Sequence, residues 1–168
     1  MSEENDARKF SLSLPATVFD ALAREAEEVR RDAQDHMRWL LIEHALKTDF
    51  IPPEEKKMLS LYRDISNRVA DMAVEIDETE GFSPDITLRA IQACQKDPNW
   101  LADYRLYVGG NEFAEKNARK WSLNQNIGYR VRQALKAGLE TSPDGKKRVS
   151  KVPGRELIKS FTRLRKLD

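Results

Sequence analysis

The chain has 168 residues with 29 Lys+Arg against 28 Asp+Glu, and its formal net charge of +1 argues against a uniformly basic nucleic-acid binder. The balance is uneven: residues 1–50 hold 7 basic and 11 acidic side chains, residues 51–100 hold 6 and 10, and residues 101–168 hold 16 and 7, an asymmetry that points to contact with a polyanion. A hydrophobic content of 40% argues against global disorder, and the absence of a signal peptide or of a stretch near the ~18 apolar residues of a membrane span leads to the expectation of a cytoplasmic protein.

The first element expected is a strand. In R-K-F-S-L-S-L (residues 8–14), Phe10, Leu12 and Leu14 alternate with Lys9, Ser11 and Ser13, which gives one apolar face and one polar face. Pro15 opens a helix in which Val18, Leu22, Ala26 and Val29 share a side. After the polar break Arg30-Arg31-Asp32, Asp32 can N-cap a second helix over 33–47, with Asp35 in its first turn and Met37, Leu40, Leu41 and Ala45 apolar. His36 and His44 on this helix are expected as partly buried side chains and not as metal ligands. One strand and two helices bury too little surface to stand alone, and the strand has two unpaired edges. Pairing it with its twin in a second chain removes both problems.

In this order of strand, helix, break and helix, residues 8–47 resemble the ribbon-helix-helix repressors of the Arc/MetJ class. The resemblance implies a homodimer whose antiparallel ribbon enters the major groove of double-stranded DNA. Phe10, Leu12, Leu14, Val18, Leu22, Met37, Leu40 and Leu41 then form the dimer core, and Lys9, Ser11 and Ser13 meet base edges, where Lys donates to guanine and Ser donates or accepts. The amides of Ala33 and Gln34 hold a phosphate at the start of the second helix, with Arg8, Arg30 and Arg31 as further phosphate contacts. Family members often carry glycine between the helices, where this chain has Arg30 and Arg31, and Asp32 adds a negative charge beside the phosphate position. By analogy the role is transcriptional repression or autoregulation at the bacterial nucleoid, as on plasmids and phages. The alternative is an antitoxin or a plasmid-maintenance or relaxosome accessory protein whose C-terminal region binds a protein partner.

Beyond Pro52-Pro53, Met58, Tyr62, Ile65, Val69, Met72 and Ile76 follow a heptad seam, open to packing within the chain or to oligomerisation. Ser83-Pro84 opens another helix with Ile86, Ala90, Ile91 and Cys94 inward, Cys94 as buried filler. A short helix with Trp100, Tyr104 and Tyr107 ends at Gly109-Gly110, a turn and not a phosphate-binding loop. A helical segment over 113–121 then leads to Ser122, the expected N-cap of a helix with Leu123, Ile127, Val131 and Leu135 inward and Gly138 as its stop. Trp100, Tyr104 and Trp121 are expected in the core and not stacked on bases.

The tail carries a Pro-Asp-Gly turn (143–145), the basic run Lys146-Lys147-Arg148, and Lys151. Leu157, Phe161 and Leu164 have helical spacing, but the S-F-T segment (160–162) also suits a strand paired with 149–152. With that hairpin, the preceding helix pair is similar to a winged-helix module whose wing carries Lys146, Lys147, Arg148 and Lys151; without it, the region is a small helical domain with a solvated basic tail.

The expected fold class is mainly α. A dimeric ribbon-helix-helix domain over 1–50 is followed by a linker and heptad helix over 51–80, then a basic α-helical domain over 81–168 that leaves a basic β-hairpin open. Arg130, Arg132, Lys146, Lys147, Arg148 and Lys151 are the candidate phosphate contacts of that domain. The expected partners are double-stranded DNA and a second copy of the chain, with no membrane. No catalytic residue, metal or cofactor is expected, and one cysteine with two histidines cannot assemble a zinc cluster.

Overall fold

The computed structural model describes residues 11–167. Six helices come first in the chain: α1 (Ala16–Glu28), α2 (Ala33–Leu46), α3 (Pro53–Glu80), α4 (Ile86–Gln95), α5 (Pro98–Val108) and α6 (Ala118–Ala134). Four short strands follow, β1 (Gly138–Leu139), β2 (Val149–Lys151), β3 (Ser160–Thr162) and β4 (Leu164–Arg165). The expectation of a mainly helical chain is met, and among the described residues the strands lie only at the C-terminal end.

Helix α3 is the axis of the molecule. It starts at Pro53, whose fixed φ suits the first helical turn, with Glu54 and Glu55 favourable at the positive end of the helix dipole. From its seam, Ile65, Val69 and Ile76 are buried, and they join Ile86 and Ile91 of α4, Tyr104 and Val108 of α5, and Leu123, Ile127 and Val131 of α6 in one core. From Tyr62 to Ile76 the heptad pattern is therefore packed from within the chain, by α4, α5 and α6, whereas Met58 is half-buried and lies outside this core. Cys94 is buried in the same core, and burial pushes its thiol pKa up to about 11. Trp100 and Tyr104 are buried as expected, with rings 5.3 Å apart; the Trp100 indole donates to the Ile65 carbonyl and the Tyr104 hydroxyl to Asn124.

Three expectations need correction. The cap of α6 is Asn117, whose side chain accepts from the Lys120 amide at 2.9 Å, so Ser122 lies inside the helix and no helix precedes it over 113–117. Asn117 also donates to the Val108 carbonyl at the end of α5, which fixes this start where a mid-helix serine could not. Trp121 then falls on the outer side of α6 and is 66% exposed. The stop of α6 is Lys136 and not Gly138: Lys136 takes the left-handed conformation (φ 48°), and the Ala137 amide bonds back to the Arg132 carbonyl at 2.9 Å. Gly138 instead starts β1, where a Cβ would lie 2.9 Å from the Leu167 side chain and 3.1 Å from that of Arg165, so that these side chains would have to shift.

The tail forms strands. β2 pairs antiparallel with β3, Val149 opposite Thr162 and Lys151 opposite Ser160, so S-F-T takes the strand alternative and not the helical one. β1 pairs with β4, and the Thr141–Lys147 bridge closes a hairpin over the turn Ser142–Gly145, with Gly145 at φ 79°. The Leu164 amide donates to the Pro84 carbonyl, tying this β unit to the start of α4, and Val152, Leu157, Ile158 and Leu164 complete the core.

Candidate nucleic-acid interface

At the N-terminal end, α1 and α2 pack on each other, with Ala26, His36 and Trp39 buried. Their connection turns at Arg30, which adopts φ 52°, while the Arg31 amide bonds back to the Ala26 carbonyl at 2.8 Å. A left-handed residue in this place is what glycine supplies at no steric cost, so the arginine meets the same backbone requirement. Residues 11–15 form no strand in the single chain, where a ribbon strand has no twin to pair with. Arg8, Lys9 and Phe10 lie outside the described residues. Ser11 and Ser13 are exposed. Leu12 (57%), Phe19 (44%), Val18 and Leu41 are exposed too, and Leu14, Leu22, Met37 and Leu40 are half-buried.

The start of α2 faces the rest of the molecule. Asp32 caps it by accepting from the Asp35 amide at 2.8 Å, and it also accepts from Tyr129 and Gln133 of α6. Partial burial pulls the Asp32 carboxyl upward, but these hydrogen bonds, with one from the Gln34 amide, outweigh it and hold its pKa below the ordinary value. Burial and the Asp32 charge push the Tyr129 hydroxyl up to about 12. Of the two amides expected to hold a phosphate, that of Gln34 is thus turned to the chain's own carboxylate. Arg31 is engaged as well, with Asp35 at 3.5 Å, Asn67 at 2.9 Å and the Trp39 ring. For Asp35, burial outweighs the attraction of Arg31 and raises its pKa. Arg30 lies 3.5 Å from Glu78, with both side chains largely exposed.

The candidate cations of the C-terminal region divide by exposure and partner. Arg130 is only 5% exposed and donates to the Arg30 carbonyl and Gln133, so in this arrangement it joins α6 to the α1–α2 turn and cannot reach a phosphate. Arg148 pairs with Glu140 at 2.9 Å and Arg163 pairs with it at 2.7 Å, stapling the β unit. Lys146 lies 3.2 Å from Asp144 at the hairpin tip. Arg132, Lys147 and Lys151 make no ion pair among the described residues, and Arg132 lies against the Tyr129 ring, 5.4 Å from its centroid. A groove runs between α6 and the β unit, with Gln125, Gly128, Tyr129 and Arg132 on the helix side and Lys147, Phe161 and Thr162 on the other.

The sequence pattern had not singled out Gln125, Gly128, Tyr129 or Gln133. The available signal was the lack of any acidic residue between Glu115 and Glu140, a stretch that carries six Lys and Arg. Among the described residues no group of three or more His, Cys, Asp or Glu is placed to hold a metal ion, and no helix is long and apolar enough to cross a membrane. No protein-family model matches the chain, and none of the curated proteins or solved structures compared with it matches significantly.

Proposed function

We propose that the chain binds double-stranded DNA in a sequence-specific manner as a homodimer and acts as a transcriptional repressor or autoregulator. The observation that carries this reading is uncovered apolar surface at the N-terminal end: Val18, Phe19 and Leu41 of the helix pair stay exposed, as does Leu12 in the non-helical segment that precedes α1. Covering the exposed half of one such side chain is worth roughly 1 kcal/mol, about half the value of full burial. A second copy of the same segment supplies that burial and a partner strand at once, which is the requirement the sequence pattern sets. The left-handed turn at Arg30 and the capped start of α2 support the same helix–turn–helix geometry. In the paired ribbon, Lys9, Ser11 and Ser13 project away from the apolar face and read base edges in the major groove.

Sedimentation of the purified chain, with duplex binding followed at the same concentrations, tests the reading. Dimers that bind DNA are expected, and Leu12→Asp is expected to give folded monomers without DNA binding, because a charge would enter the buried face unpaired. A Leu12→Asp chain that remains dimeric and binds DNA as before overturns the ribbon.

A further inference from the structure

We propose that the groove between α6 and the β unit is a second nucleic-acid site, which takes the sugar–phosphate backbone of duplex DNA between Arg132 and Lys147. The choice of DNA as occupant rests on the proposed function; the site itself rests on three features of the groove.

The first is charge. Residues 116–139 contain no Asp or Glu, so α6 carries cations without counter-charges of its own. Glu140 pairs with both Arg148 and Arg163 nearby, and Arg130 is turned inward, which leaves Arg132 and Lys147 as the groove's cations without an ion pair among the described residues.

The second is shape. Helical spacing puts Trp121, Gln125, Gly128 and Arg132 on one side of α6, and Trp121 is largely exposed there. Gly128 lines the groove in mid-helix. A Cβ at this position would meet nothing within 4 Å, and Gly128 does not have a positive φ. Neither packing nor backbone conformation within the chain calls for glycine, the costliest helix-interior residue after proline. A glycine of this kind fits the close approach of another molecule to the helix backbone.

The third is pre-organisation. The Tyr129 ring holds the Arg132 guanidinium at the groove, and Tyr129 is itself hydrogen-bonded to Asp32 at the start of α2. The groove is thereby linked to the same helix pair that carries the proposed ribbon.

The test is anisotropy of the full-length chain with a labelled random-sequence DNA duplex, and with an RNA duplex of the same sequence, across a salt series. Arg132→Ala and Lys147→Ala are each expected to flatten the dependence of log affinity on log salt by about one unit for every phosphate contact removed, and a homodimer loses each contact twice. Lys57→Ala, an exposed lysine on α3 far along the chain from the groove, serves as the control and is expected to leave the slope unchanged. Gly128→Leu adds bulk without changing charge; it is expected to weaken duplex binding while the chain stays folded by circular dichroism. An unchanged slope in the Arg132→Ala, Lys147→Ala double variant overturns the site, as does full binding by Gly128→Leu. Tighter binding to the RNA duplex overturns DNA as the occupant. Failure of the ribbon is separable: loss of sequence preference in Lys9→Ala with an unchanged slope in the double variant removes the groove and keeps the ribbon, and the reverse result removes the ribbon and keeps the groove.

Discussion

The Tyr129 hydroxyl of α6 donates a hydrogen bond to the Asp32 carboxylate at the start of α2, joining residues 97 positions apart. Asp32 thus serves two structures at once, as the cap of its own helix and as one of the points, with the Arg130–Arg30 contact, where the N-terminal helix pair meets α6. The two roles separate by substitution. Asp32→Ala removes the cap as well as the contact and is expected to destabilise the chain by about 1–2 kcal/mol. Tyr129→Phe with Gln133→Ala removes the contacts to α6 and leaves the cap, and is expected to cost less than Asp32→Ala by the cap's share, each hydrogen bond being worth about 1 kcal/mol or less. Urea unfolding of both variants, monitored by tryptophan fluorescence, measures the difference; equal losses would mean that the cap contributes nothing.

Acid unfolding follows from the same carboxylate. The folded-state pKa of Asp32 is depressed, and so is that of Glu112, which accepts from Arg105 at 2.6 and 2.8 Å. Depressed carboxylates contribute stability that is complete above their unfolded values, about 4, and is lost as pH falls toward the folded values. Asp35 works in the opposite direction, because its raised pKa makes protonation favourable in the folded state. The expected result is a urea midpoint that falls as pH drops below about 4. Asp32→Asn and Glu112→Gln are expected to make that fall shallower, and an unaltered fall would remove these groups as its cause.

Within α6, two large side chains have opposite fates. Leu123 is fully buried in the core, whereas Trp121 is largely exposed. Leu123→Ala is expected to cost about 2–5 kcal/mol. Trp121→Ser is expected to change stability by roughly 0.5 kcal/mol or less. Thermal melts of the two variants check the contrast, and a large loss in Trp121→Ser would place that ring in a contact the single chain does not show.

Gly128→Ala is expected to stabilise the chain by roughly 0.5–1 kcal/mol, since the added methyl meets open space in a helix that already holds its backbone. Chemical denaturation measures the gain. A loss of stability would show that the glycine is required by the fold itself.

How far the pattern of residues reached can be seen at particular positions. The α3 seam was legible because Ile65, Val69 and Ile76 recur at helical spacing, and burial follows spacing when neighbouring helices supply the other wall. The Pro-Asp-Gly turn is legible from turn chemistry, whereas the pairing of 149–151 with 160–162 is only one of two alternatives the residues leave open, beside the helical spacing of Leu157, Phe161 and Leu164. The start of α6 was misread because Ser122 and Asn117 are both competent caps, and the contact that selects Asn117 is to Val108 on another helix. The two-residue strands β1 and β4 are too short to carry an alternation. In the candidate sites, residue type marked Arg132 and Lys147 as cations but could not show that Arg130 is buried while Arg148 is neutralised by Glu140. Those distinctions depend on contacts between distant segments, and so do the Tyr129–Asp32 link and the position of Gly128.

Selection of bound duplexes from a random-sequence DNA library by the full-length chain tests most directly whether this is a dimeric, sequence-reading DNA binder. Two copies related by a two-fold axis should enrich an inverted repeat, and Lys9→Ala should relax the preference at one position of each half-site with a loss of about 1–3 kcal/mol. Recovery of unenriched sequence, or of an inverted repeat that Lys9→Ala, Ser11→Ala and Ser13→Ala all leave intact, would contradict a reader built on the N-terminal ribbon.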